Sequence, residues 1–156
     1  MEFRYNNRVK AYVALVHYMN NYIQAVCDTG ASSTAMDLNS LRALTNDSKR
    51  CNALNSESIV PTGQIRTASG ELNKVALISL NNIRIGREII PTLYSRVIID
   101  NAGAYEPMML IGLDIIRRCE VSINRDRIIL DSFQYGDYIE DNKAIDKSVI
   151  KIYSLS

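Results

Sequence analysis

Between residues 9 and 130 the chain is a string of short apolar runs rich in Val, Ile, Leu and Tyr, each soon broken by Asn, Asp, Gly or Pro. Runs this short need cross-strand partners to satisfy their backbone groups, and several such strands bury a face only by stacking as sheets or closing as a barrel. The pattern therefore predicts an all-β fold. Segments 9–18 and 22–27 flank Met19-Asn20-Asn21 as a hairpin. Segments 59–67 and 72–80 flank Ala68-Ser69-Gly70-Glu71 as a second one, with Gly70 suited to a positive φ. Asn81-Asn82 and Gly86-Arg87 read as turns around a short strand at 83–85, and Pro91 interrupts the β-rich run 89–100. A short strand at 108–111 ends at Gly112, and 121–124 pairs with 127–130 across Arg125-Asp126. Helical spacing is confined to 37–44, with Asp37 as N-cap, and to one or two turns within 114–119. Beyond Asp131 the chain is polar except for one alternating stretch, 148–155.

Composition narrows the chemistry. The 156 residues, 47% apolar and 22% charged, suffice for one packed core, and no internal repeat divides them. We expect one domain over 1–131 and a C-terminal extension over 132–156 that offers a further strand to a dimer interface. A net charge of +1 gives no pull toward nucleic acid or an anionic membrane. No apolar run reaches the length of a membrane span, and the polar N-terminus lacks a signal-peptide core, so the expected location is cytoplasmic. Cys27, Cys51 and Cys119 form no metal-ligand spacing and no C-x-x-C pair, which reads as three free thiols packing as small apolar residues. The single histidine, His17, sits inside a strand run. A His-rich metal site cannot be built, and a nucleophile–histidine site would have to use that one residue. The glycines are isolated, so no phosphate-cradling loop is present. No metal and no cofactor are expected, and carboxylate chemistry is what remains.

One segment concentrates that chemistry: Ala25-Val26-Cys27-Asp28-Thr29-Gly30-Ala31-Ser32-Ser33-Thr34. Asp-Thr-Gly alone is weak, because Asp and Gly are turn formers and the triplet arises by chance in roughly 3 per cent of chains this long. Its context is the stronger signal. An apolar strand that runs straight into Asp28 and then into small residues would hold a carboxylate rigidly on the floor of a cleft.

Asp28-Thr29-Gly30-Ala31-Ser32 resembles the active-site signature of retroviral and retropepsin-like aspartic proteases. Met109-Leu110-Ile111-Gly112-Leu113-Asp114-Ile115-Ile116-Arg117-Arg118 is similar to that family's apolar-apolar-Gly segment and following short helix, closest to the Ddi-family protease domain and bacterial retropepsin-like proteins. Thr67-Ala68-Ser69-Gly70-Glu71 lies between the two in the order of the family's flap.

The resemblance covers roughly 9–130. It implies a retropepsin-like acid-protease barrel with one lobe per chain and a short helix after Leu-Ile-Gly. It further implies an aspartic endopeptidase that works as a homodimer on an extended peptide or protein substrate, because one chain supplies one of the two carboxylates that must share a proton. Asp28 would be catalytic, and Thr29 and Gly30 would support the loop, Thr29 by bonding across the dimer axis. Ala31, Ser32 and Leu110 would line the cleft, and Ala68, Ser69, Gly70 and Glu71 would close over substrate as the flap. Asp114 reads as a helix cap rather than a catalytic group. Ser32-Ser33 and Leu113 stand where retroviral enzymes carry an ion-paired acid and arginine, so this loop is expected to be held by other contacts.

Two alternatives stay open at this level. One is a catalytically silent dimer of the same fold that binds peptides or partners. The other is an unrelated β-domain in which Asp-Thr-Gly is a turn and Gly70 a plain hairpin glycine.

Overall fold

A computed structural model of the chain describes residues 1–47, 51, 63–66, 72–99, 106–143 and 150–152. Ala68, Ser69, Gly70 and Glu71, the expected flap tip, lie outside the described residues. In chain order the elements are β1 (Glu2–Asn6), β2 (Ala11–Tyr18), β3 (Asn21–Cys27), β4 (Ala35–Asp37), α1 (Leu38–Thr45), β5 (Gly63–Arg66), β6 (Leu72–Ile85), β7 (Glu88–Ile98), β8 (Met108–Ile111), α2 (Leu113–Ile116), β9 (Glu120–Ile123), β10 (Arg127–Asp131), α3 (Tyr135–Asn142) and β11 (Ile150–Ile152).

Six strands close into a ring in the order β6-β7-β4-β8-β3-β2, completed where Val16 and His17 of β2 pair with Ile85 and Arg84 of β6. Closure removes the open edges that short apolar strands would otherwise expose. The remaining strands extend it: β1 joins β2 to β10 and β9, while β5 and β11 pair with β6. The all-β expectation holds, as does the short helix after Leu-Ile-Gly. Among the described residues no helix is long and apolar enough to cross a membrane.

Local sequence explains each corner. The β2–β3 hairpin turns at Met19-Asn20, with Met19 at φ 56, and Tyr18 pairs with Asn21. Asp37 caps α1 as expected: its Oδ1 accepts from Ser40 N at 2.7 Å, and Leu38, Leu41 and Leu44 line the buried stripe at helical spacing. The expected turn at Asn81-Asn82 is not a turn. β6 runs on to Ile85, and Asn82 takes φ 56 within it, opposite the Pro91 position of β7. Pro91 brings no N–H to the ladder and is exposed, so β7 also continues through it. The kink shifts the phase of side-chain alternation. Ile78 and Leu80 before it, and Ile83 and Ile85 after it, all reach the same core. Gly86, at φ 61, then opens the two-residue turn into β7.

Three elements escaped the sequence reading, one of them the short ring strand β4. The polar N-terminus forms β1, whose Phe3 is fully buried, and the segment after Asp131 forms α3. Tyr138 of α3 enters the same core cluster as the barrel and accepts from Tyr94 N at 2.7 Å. The alternating stretch near the C-terminus supplies β11, parallel to β6 within the same chain.

Candidate active site

β8 lies between β3, to which it is parallel with Cys27 opposite Ile111, and β4, to which it is antiparallel with Ala35 opposite Leu110. The β3–β8 ladder runs one residue further, where Asp28 N donates to Ile111 O at 3.0 Å. Both chains then leave the sheet. Residues 28–34 loop from β3 to β4, and β8 passes beside that loop into α2.

The two segments clasp each other. Leu113 N donates to Ala31 O at 2.8 Å, and Gly112 N donates to Thr34 Oγ1 at 3.2 Å. Thr34, fully buried, donates from N and from Oγ1 to Asp114 Oδ1 at 2.9 and 2.8 Å. Within the loop, Ala31 N reaches Asp28 O at 3.2 Å and Gly30 N reaches Asp28 Oδ1 at 2.9 Å. Gly112 is required by proximity: a Cβ there would stand 2.5 Å from Ser33 C and 2.9 Å from Ala31 O.

The loop thus presents a half-buried Asp28 carboxylate with Thr29, Gly30 and Ser32 exposed around it and Ala31 half-buried. Strand alternation fixes the face. Cys27, Ile111 and Met36 pack on the core, so Val26, Leu110 and Ala35 project from the other face, and Asp28 follows Val26 in phase. Leu110 therefore stands half-buried on the carboxylate's side of the sheet. The structure brings Asp28, Thr29, Gly30, Ala31, Ser32 and Leu110 together at one end of the barrel. A groove of about 480 Å³ beside them is walled by Ser32, Asp114, Arg117, Arg118 and the acidic face of α3; Asp28 does not line it.

Asp114 corrects an expectation. It does not act as the N-cap of α2, because Gly112 occupies that position without a side-chain cap bond. Its Oδ1 instead gathers Thr34 N, Thr34 Oγ1 and Ile115 N, the last at 3.0 Å. This carboxylate ties the end of the 28–34 loop to the start of α2. α3 backs it up: Arg118 donates to Asp114 O, pairs with Asp141 and lies 5.9 Å over the Tyr138 ring. Nothing in the spacing of Thr34 and Asp114, 80 residues apart, announces their contact. We expect Asp114→Ala to strand buried donors and to cost about 3 kcal/mol in a urea unfolding midpoint, whereas Asp114→Asn, which keeps an acceptor, costs clearly less. Equal effects of the two would mean that Thr34 is held by something else.

Cys27, directly before Asp28, is half-buried against the core. Burial first, and the neighbouring Asp28 charge second, push its thiol up to about 11, so it is neutral near pH 7. Cys119 is pushed up to about 11 as well, by burial and then by Glu88. Neither is poised as a nucleophile. His17 is a strand residue with its ring 5.7 Å from Tyr22.

No family model matches the sequence, and no curated protein matches it either. Solved structures do. A retropepsin-like aspartic protease from Rickettsia conorii is similar at 23% identity and TM-score 0.49, over 83% of this chain and 88% of that one. The retroviral protease-like domain of Ddi1 from Leishmania major is similar at 16% identity and TM-score 0.48, over 79% of this chain and 90% of that one. At such identities and TM-scores the likeness says nothing of this chain's chemistry, and the closed six-stranded barrel stands on its own strand order.

Proposed function

We propose that this chain is one half of an aspartic endopeptidase, with Asp28 from each of two copies forming the catalytic dyad. The observation that carries the reading is the placement of Asp28. A buried strand delivers it to the open end of the barrel on a loop clasped by Gly112, Leu113 and Thr34, with its carboxylate on the face away from the core. A surface turn needs no such clasp. The loop holds no second acid, since Ala31, Ser32 and Ser33 follow the glycine. The partner carboxylate then has to come from a second copy across a two-fold axis, which the exposed Thr29 and Gly30 leave room for.

Two carboxylates that close share one proton. The ionised Asp28 takes a proton from a water as it attacks the scissile carbonyl carbon. The protonated Asp28 donates to the carbonyl oxygen, and collapse of the tetrahedral intermediate delivers a proton to the leaving amine. Leu110, half-buried on that face between Val26 and Ala35, offers an apolar contact beside the dyad, along which a peptide would lie extended. No metal or cofactor enters.

The test is digestion of a denatured protein mixture from about pH 4 to about pH 7.5, with products read by mass spectrometry. Because two chains make one site, the rate should rise as the square of chain concentration below the dimer's dissociation constant. A rate linear in concentration from a protein that sediments as a monomer would remove the shared dyad. A folded dimer that cleaves nothing but retains bound peptides would be a binding module.

A further inference from the structure

The sheet face that carries Asp28 also carries a cation, three strands away. Register places Val26, Leu110, Ala35, Arg96 and Leu77 side by side across β3, β8, β4, β7 and β6. Residues paired directly across a sheet project from the same face, so Arg96 shares the face of Val26 and, one step along β3, of Asp28. Its backbone belongs to the same assembly, since Arg96 N donates to Thr34 O at 3.0 Å.

Its two cross-strand neighbours are apolar. Ala35 and Leu77, its neighbours on either side, are each 7% exposed. Arg96 itself is half-buried, and it makes no ion pair with any other described residue. By contrast, Arg118 pairs with Asp141, and Arg8 with Glu106. A guanidinium held between aliphatic neighbours loses hydration that only a carboxylate restores in full, and its fixed fork of donors matches a carboxylate well.

We propose that Arg96 is a specificity-determining residue that reads an acidic side chain, Asp or Glu, on the bound peptide. The inference rests on the peptide-cleft reading of the Asp28 face and names the substrate class for it. Val26 and Arg96 are three strand spacings apart, about 14 Å, and an extended peptide advances about 3.3 Å per residue. Allowing for the reach of the arginine side chain toward Asp28, the acid is expected roughly two to four residues from the scissile bond.

The experiment compares wild type, Arg96→Leu and Arg96→Glu on a library of proteome-derived peptides, with cut sites mapped by mass spectrometry. Wild type should favour cuts with Asp or Glu at one such position by about tenfold or more, the worth of a charge-assisted hydrogen bond. Arg96→Leu should lose the preference, read as the ratio of acid-containing to acid-free cut sites within its own digest, and Arg96→Glu should prefer Lys or Arg at that position. Wild-type cleavage without an acid preference, or the same preference in Arg96→Leu, overturns the proposal and leaves the protease standing. If wild type cleaves nothing, the protease reading fails, and peptide binding by the same three proteins decides the role of Arg96. Acidic enrichment that reverses in Arg96→Glu upholds it; no enrichment, or one that does not change, overturns it.

Discussion

Asp28→Asn should lower kcat/KM for peptide cleavage by about a hundred- to ten-thousandfold, the usual worth of a positioned general base, while leaving the fold intact. The two halves of that expectation have separate causes. Asn matches Asp in shape, and its side-chain carbonyl can accept from Gly30 N as Asp28 Oδ1 does at 2.9 Å. The backbone tie from Asp28 N to Ile111 O is untouched. Melting temperature should therefore move by no more than about 2–4 °C, which for a chain of this size corresponds to about 1 kcal/mol. What the substitution removes is the ability to take a proton from water. Both copies in a dimer lose it together, so no intact carboxylate remains to compensate. Activity that persists in the purified variant would place the base elsewhere, and the described residues offer no other acid in the 28–34 loop. Loss of activity together with a drop of ten degrees or more would instead make Asp28 a structural residue.

Much of this arrangement was legible in the chain, and the gaps have physical reasons. Asp28 at the end of strand 22–27, the Asp37 cap and the Leu-Ile-Gly strand are local signals: a strand run, a turn residue and a cap each declare themselves within a few positions. The turn assigned to Asn81-Asn82 failed because a pair of asparagines tolerates a left-handed residue in a bent strand as readily as in a turn. α3 was missed although Tyr135, Tyr138 and Ile139 sit at helical spacing. Gly136, aromatic residues of modest helix propensity and four acidic side chains (Asp137, Glu140, Asp141 and the nearby Asp131) made it read as a solvated tail. The Thr34–Asp114 clasp and the Val26-to-Arg96 row are non-local. They exist only once β8 is placed between β3 and β4, a fact of topology that no window of sequence holds.

Gly112→Ala should destabilise the protein by about 3 kcal/mol or more, the upper range for forcing one extra carbon into a packed site, and lower its melting temperature by roughly 6–12 °C. The cost does not come from backbone freedom, because Gly112 has φ −98 and ψ −173, which any residue can adopt. It comes from contact. The added carbon would lie 2.5 Å from Ser33 C, 2.7 Å from Ser33 O and 2.9 Å from Ala31 O, all backbone atoms that cannot rotate aside. Relief requires moving one segment, and both are pinned. Gly112 N is bound to Thr34 Oγ1, its carbonyl accepts from Ile115 N and Ile116 N, and the adjacent Leu113 N holds Ala31 O. Separating the strands' ends would break at least one of these bonds and shift the loop that carries Asp28. Activity should then fall further than the unfolded fraction explains, which measurements well below the melting transition can separate. Gly136→Ala is the control. A Cβ there meets nothing within 4 Å, and in a helix the change should be neutral or stabilising by up to about 1 kcal/mol. A Gly112→Ala protein that melts alongside Gly136→Ala would mean that the two segments are not in contact at Ser33, and with that the rigid seat of Asp28 would be lost.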